Sequence, residues 1–387
     1  MMGNIIRTIS ERATLIASEA TWIEGLAIEQ LNKTAQLPDM VAVAGMPDLH
    51  PGRGYPVGAA FFSRKRIYPA LVGNDIGCGM GLWQTSLKVN KFNPEKIEKR
   101  LNGVTSPLPA SWHPYIQSRQ QALNINPGSF DVSLGTIGGG NHFSEFQQLD
   151  EVYCEATVAA LGMNPKQLQL LVHSGSRGLG QQILMAHIRR YNHDGIAESG
   201  AGFADYLQQH DEAVRWAVLN RELIALRFLD AVRGEAELVL DVTHNLVSPA
   251  QFQGVSGWIH RKGATPADQG VVVIPGSRGD YTYLVKPTTN EAGLLSLAHG
   301  AGRKWKRGDC QSRLSHKYRQ SDLQRTSLGS RVVCKDKTLL YDEAPQAYKK
   351  CESVISDLEN AGLITRLARL KPVLTFKTDG GDGGKQQ

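Results

Sequence analysis

Apolar residues along this chain gather in short runs broken by glycine and polar turns. MVAVAGM (40–46), VGAAFF (57–62), LQLLV (within 167–172), ELVLDV (237–242) and VVVIP (271–275) are five to seven residues long. Runs of that length, rich in branched side chains and bounded by turn residues, predict strands. A period near 3.6 appears elsewhere. Trp22, Ile23, Leu26 and Leu31 predict an amphipathic N-terminal helix over 19–32, and longer helical patterns cover about 179–193 and about 202–232. The alternation of strands and helices lacks the even period of a doubly wound sheet or barrel, so the expected fold is α+β, with mixed β-sheets and surrounding helices. No internal repeat or Pro/Gly/Ser linker divides the chain. One compact domain is expected over residues 1–380, with GDGGKQQ giving a flexible tail over 381–387.

Composition narrows the class. With 387 residues, 41% hydrophobic and 21% charged, the chain can bury a large core. No apolar run approaches the ~18 residues of a membrane span, and MMGNIIRTISERATL lacks the pattern of a signal peptide, so a cytoplasmic protein with no membrane partner is expected. The five cysteines show no C-x-x-C spacing, which argues against a disulfide framework and leaves Cys78 a thiol or thiolate. The formal charge of +6 is unevenly distributed: residues 301–350 carry 13 Lys/Arg against 5 Asp/Glu. Such a segment suits a polyanion such as RNA, or is simply a solvated basic face.

The chemistry-bearing residues recur at the ends of apolar runs, beside glycine, serine or asparagine. His142 closes GTIGGGNHF, His173 follows LQLLV, His244 follows ELVLDVT and His299 follows LLSLA. Asp75 and Cys78 lie three apart in GNDIGCGMG. Imidazole, thiolate and carboxylate together make a transition-metal site, for which ligand softness alone suggests zinc; spacing does not decide between one ion and two. A second group suits phosphates: Arg261 and Lys262 in HRKGA, the PGSRG turn, and Arg303 in HGAGR, where glycine lets backbone amides approach an anion. No P-loop signature is present. FKTDGG (376–381) contains the K-x-D-G pattern of lysine-type nucleotidyltransferases, but only seven residues follow Gly380, too few for the domain those enzymes need. On residues alone a metal-dependent phosphodiesterase or phosphatase and a non-catalytic RNA-binding module both stay open.

GMPDLHPGRGYPVGAA, GNDIGCGMG, LGTIGGGNHFSE, VHSGSRGLG, THN, WIHRKGATPA, IPGSRG, HGAGR and DEAPQAYK occur in one order between about Pro47 and Lys377. In that order they resemble the RtcB family of GTP-dependent RNA ligases, and WIEGLAIEQL with the arginine of PGSRG resembles its release-factor-coupled subgroup. The resemblance implies one RtcB-like domain around a central metal-containing cleft. It also implies an enzyme that joins an RNA 3′-phosphate or 2′,3′-cyclic phosphate to a 5′-hydroxyl, in RNA repair on broken tRNA or rRNA, with a release-factor-like protein as a possible partner. By motif position His299 accepts guanylate from GTP, and Asp75, Cys78, His142, His173 and His244 hold two Mn2+ ions, with Cys78 shared, in place of the zinc suggested by softness. Asn141 would meet the GTP phosphates, Phe143 and Glu145 the guanine, and Tyr348 and Lys377 would close over the base. Arg261, Lys262, Ser277, Thr282, Gly300, Ala301, Gly302 and Arg303 complete the implied nucleotide contacts. Asp48 and His50 match a motif near the metal-supported phosphate chemistry. Two departures stand out: Arg278 replaces the methionine usual in the family's G-S-M-G, and Thr282 a serine. The Ser277–His299 spacing is also slightly short for the family.

Overall fold

Each of the five apolar runs lies in a strand of the computed structural model, which describes residues 5–288 and 290–378. The tail expected over 381–387 lies outside the described residues. The helical patterns become Gly178–Tyr191 and the 30-residue Phe203–Val232. The N-terminal helix is shorter than its pattern suggests, running from Gly25 to Thr34. Ahead of it, the Ser18 amide and the Thr21 hydroxyl both donate to Asp357 Oδ2, at 3.1 and 2.6 Å, and hold that segment in a turn. The buried stripe is then Ala27, Leu31 and Thr34, and Trp22 and Leu26 remain exposed.

Two sheets organise the chain. A six-stranded sheet runs in the order Ile6–Ser10, Ala13–Ile16, Met40–His50, Val57–Ser63, Val255–Lys262, Asn245–Phe252. The larger sheet runs Ala236–Thr243, Gly79–Lys88, Gln167–Ser174, Phe143–Val152, Ile364–Thr378, Thr282–Pro287, Val272–Pro275, with Arg331–Cys334 paired parallel to Ile364–Thr378. The central strands of both sheets are buried on both faces, whereas the edge strand Ala236–Thr243 leaves Leu238 exposed. Leu170 and Val172 join a core with Trp83, Phe146, Phe228 and Phe376, whereas Leu171 joins Met80, Leu82 and Leu284 on the opposite face. Phe61 and Phe62 divide in the same way between two cores of the smaller sheet. Burial on two faces explains why these strands read as unbroken apolar runs without alternation.

The sheets meet at a joint one residue wide. Ala236–Thr243 ends at the edge of the large sheet, and Asn245–Phe252 begins at the edge of the small one, so His244 is the connection. The helix Phe203–Val232 packs on the large sheet through Ile224, Ala225, Phe228, Leu229 and Val232. Among the described residues no helix is long and apolar enough to cross a membrane.

Phe228 is 1% exposed and meets Phe376 edge-on at 5.2 Å between ring centroids. Phe228→Ala is expected to destabilise the fold by about 3–5 kcal/mol, read as a lowered midpoint in urea at unchanged slope.

Candidate active site

Strand register decides which side chains meet. Thr243 pairs with Gly79, Met80 with His173, and Phe143 with His173. Four consecutive strands therefore present Cys78, His142, His173 and His244 at one end of the large sheet. Asp75 joins them through the turn before Gly79, which Cys78 N–H closes on Asp75 O at 3.1 Å. Gly77 has φ +78°, and a Cβ there would lie 2.8 Å from Ala217 Cβ, so helix Phe203–Val232 presses directly on this turn. The backbone N–H of His244 donates to Cys78 O at 2.8 Å, and the Asn245 amide donates to Asp75 O at 3.1 Å. The two-sheet joint and the D-x-x-C turn are thus bonded together.

The imidazole lone pairs converge on the Cys78 sulfur. His142 Nδ1 lies 3.1 Å from Ile137 O and His173 Nδ1 3.3 Å from Asn141 O. A carbonyl only accepts, so each Nδ1 carries the proton and each Nε2 offers a lone pair. Those Nε2 atoms lie 3.4 and 3.2 Å from Cys78 Sγ, and His142 Nε2 lies 2.8 Å from Asp75 Oδ2. The ligand atoms of Cys78, His142 and His173 all lie within 4.8 Å of one another and are buried. His244 extends the group, its ring 5.2 Å from that of His173, and its Nδ1 is buried with no hydrogen-bond partner among the described residues. Lone pairs facing one another in a buried pocket repel unless a cation lies between them, so this donor set fits a transition-metal ion.

Protonation follows the same logic. Burial, reinforced by the neighbouring imidazoles, pushes the His173 and His244 pKa values well below the ordinary range and keeps them neutral ligands. Burial raises the Asp75 carboxyl, but His142 and Arg177 outweigh it and hold Asp75 low. The Cys78 thiol is pushed well up by burial and then by Asp75; a bound cation favours the thiolate.

A buried guanidinium braces the ligands from behind. Arg221, fully buried, holds Asp241 bidentately at 2.7 and 2.5 Å and donates to Gly77 O at 2.7 Å and Ser174 O at 3.0 Å. It therefore joins the backbone beside Cys78 to the backbone beside His173. Asn220 next to it donates to Thr136 O and Gly175 O, each at 3.3 Å.

His299 stands across from this group. It follows Ser296–Ala298, which pairs with Ala264–Pro266, and its ring lies 4.8 Å from that of His244. His299 Nδ1 is 2.7 Å from Oδ2 of the fully buried Asp48, which also accepts the His299 backbone N–H at 3.2 Å. The Nδ1–H bond leaves Nε2 with a free lone pair. Lys349 fixes the Asp48 backbone, its ammonium donating to Pro47 O at 2.8 Å and Leu49 O at 3.0 Å.

Both groups open into one cleft of about 1960 Å³, well above the usual size of a small-ligand pocket. Ten Lys/Arg line it against three carboxylates, Glu24, Asp75 and Glu343. Glu343 Oε1 lies 3.2 Å from both Arg303 and Arg307, and its Oε2 accepts the Tyr348 hydroxyl and lies 3.9 Å from Lys377 Nζ. Burial opposes its charge, but Lys377, Arg307 and Arg303 prevail and lower its pKa to about 2.

The family profile described as "tRNA-splicing ligase RtcB" matches residues 30–131 and 119–378. The chain is 55% identical to "RNA-splicing ligase RtcB2" of Escherichia coli, over 99% of this chain and 100% of that protein. It is 27% identical to "tRNA-splicing ligase RtcB" of Methanococcus maripaludis, over 90% of this chain and 91% of that protein. The corresponding match to "RNA-splicing ligase RtcB" of Mycobacterium tuberculosis is 28% identical, over 89% and 99%. The chain belongs to the RtcB family.

The nucleotide contacts implied by the RtcB resemblance divide by depth. Asn141, Phe143, Lys262, Ser277, Gly300, Ala301, Gly302, Arg303, Tyr348 and Lys377 line the cleft with His299. Glu145, Thr282 and Arg261 are buried and are not among its lining residues. Glu145 accepts from Thr375 at 2.5 Å and from Gln147 at 2.7 Å, and Gln147 also donates to Thr282 at 2.8 Å. Arg261 is tied to Ser296 at 2.8 Å and Leu295 O at 3.1 Å. Burial outweighs these hydrogen bonds and the nearby Lys377, and raises the Glu145 pKa to about 7.

Sequence reading missed Arg221, Asn220, Lys349 and Glu343. The first two sit in a helix of ordinary composition, where nothing local marks them. DEAPQAYK did hold a signal, since it places an isolated acidic pair in the most basic stretch of the chain.

Cys78→Ala is expected to abolish the thiolate-to-metal absorption of a cobalt-loaded sample and to lower metal content by at least an order of magnitude. Glu343→Gln is expected to cost about 3 kcal/mol at pH 7. Because the folded pKa of Glu343 is depressed to about 2, its stabilisation is present above the unfolded carboxyl value and lost as pH falls through 2. The gap between wild type and variant in urea unfolding should therefore narrow from pH 7 to pH 3.

Proposed function

We propose that this chain is an RNA ligase that joins RNA 3′-phosphate or 2′,3′-cyclic phosphate ends to 5′-hydroxyl ends, using GTP and two manganese ions. The observation that carries the reading is the Asp48–His299 pair at 2.7 Å, facing the Cys/His donor set across one basic cleft. The names of the relatives support an RNA end-joining reaction. Asp75, Cys78, His142, His173 and His244 would hold the metal. Manganese bound there supplies charge neutralisation for phosphate oxygens.

Asp48 does for His299 what an orienting carboxylate does in a catalytic triad. It keeps the proton on Nδ1, aims Nε2 and stabilises the positive charge that grows on the ring as Nε2 attacks. An N–P bond forms at the GTP α-phosphorus, and the P–O bond to the β-phosphate breaks, so pyrophosphate leaves with the electron pair. An oxygen of the RNA 3′-phosphate then takes the guanylate and returns His299 to its neutral form. The 3′-phosphorus now bears a good leaving group: the 5′-oxygen bonds to it, the P–O bond to the guanylate breaks, and the departing GMP phosphate takes up the hydroxyl proton. Asn141, Lys262, Arg303 and the glycines beside His299 are suited to hold phosphates through this sequence. Phe143, Tyr348 and Lys377, with Glu145 behind them, are suited to guanine. The substrate class is RNA with broken ends, from tRNA or rRNA, and the subgroup resemblance adds a release-factor-like partner.

Intact-protein mass after incubation with GTP and manganese should show a guanylate increment that His299→Ala removes. Asp48→Asn should slow its appearance by about 100-fold or more, with the metal content unchanged. An unmodified mass in metal-loaded wild type, with hydrolysis of a 2′,3′-cyclic phosphate still present, would instead identify a phosphodiesterase.

A further inference from the structure

Arg278 is the residue of this wall that the fold does not use up. It stands where the family resemblance expects methionine, it lines the cleft, and it is only 6% exposed. Among the described residues the one hydrogen bond of its guanidinium runs from Nη2 to Leu340 O at 2.8 Å, and Nε and Nη1 have no partner. A guanidinium is a permanent charge, and burying one with most of its donors unmet is costly unless something else meets them. Among the described residues no carboxylate forms an ion pair with it. Glu343, the acidic group on this part of the wall, is already engaged by Arg303, Arg307, Lys377 and Tyr348. Three cations thus share one carboxylate, a net excess of two positive charges before Arg278 is added. Burial works against the Arg278 charge, as the lowered pKa records.

We propose that Arg278 is a phosphate-binding residue of the cleft, present in this chain to hold an oxyanion that a methionine at the same place would not contact. Only the source of that oxyanion, a nucleotide polyphosphate or an RNA 3′-phosphate, rests on the nucleotidyl-transfer reading. Both unpaired nitrogens are covered by protein in the ligand-free chain, so binding requires the guanidinium to turn. A single bond to a neutral carbonyl restrains it, and a phosphate returns a bond in which both partners are charged. The neighbouring cations on Glu343 supply the field that draws the anion in.

The test is calorimetric titration of wild type, Arg278→Met and Arg278→Lys with inorganic triphosphate, GTP, guanosine, and an RNA oligonucleotide with or without a 3′-phosphate. Arg278→Met should weaken triphosphate and GTP by about tenfold or more with guanosine unchanged, or should erase the preference for the 3′-phosphorylated oligonucleotide. The first result assigns the nucleotide as source and the second the RNA. Arg278→Lys should recover part of the loss. Ligand-free Arg278→Met should melt at or above the wild-type temperature, since it removes an uncompensated buried charge. Unchanged affinity for every phosphate probe overturns the proposal, and so does guanosine weakened as much as GTP, which would make Arg278 a base contact. The guanylate increment on His299 reads the ligase function separately. Its absence beside a triphosphate defect in Arg278→Met would leave this proposal standing and remove the ligase.

Discussion

Lone pairs that face one another at the end of the large sheet are the constraint on which the rest depends. Two imidazoles have their protons committed to the Ile137 and Asn141 carbonyls, so their remaining nitrogens, the Cys78 sulfur and an Asp75 oxygen all point into one space. Holding such groups together is unfavourable in a chain without a cation, and the surrounding structure enforces it. Four strands in fixed register supply the positions. A 30-residue helix pressed against Gly77 allows no relaxation of the turn, and Arg221 ties the two backbone segments that carry Cys78 and His173. Strain of this kind is characteristic of a site preorganised for an ion.

The nucleophile is placed by a second device of the same type. Asp48 is enclosed by backbone: a Cβ at Gly302 would lie 2.3 Å from its carbonyl oxygen, and a Cβ at Gly58 2.7 Å from its carboxylate. Lys349 grips the carbonyls on both sides of it. An enclosed carboxylate cannot wander, so the His299 ring it bonds keeps one nitrogen protonated and the other exposed to the cleft. On the metal side and on the nucleophile side alike, a buried cation fixes the backbone and the backbone then fixes the reacting side chain.

The basic wall follows a different rule. Arg303, Arg307 and Lys377 share Glu343, which keeps a dense set of positive charges folded in the absence of any phosphate. A carboxylate in contact with several cations neutralises them only in part, and the remaining field is what attracts an anion to the cleft.

Much of this was legible in the chain itself. Short apolar runs fixed the strands, because strands buried on two faces need no alternation, and histidines at the ends of those runs marked the chemistry. Asp75, Cys78 and the four histidines could be named from motif and position alone. The early helix start at residue 19 could not be corrected locally, since the competing bonds come from Asp357, far along the chain. Whether Glu145, Thr282 and Arg261 face the cleft or stand behind its wall was likewise a matter of register and side-chain pairing. Local sequence determines which residue types a turn or strand end carries, through periodicity and backbone preference. Only tertiary structure decides which of those ends coincide, which carboxylate orients which imidazole, and which arginine is left without a partner, because those outcomes depend on atoms hundreds of residues apart being brought within hydrogen-bond distance.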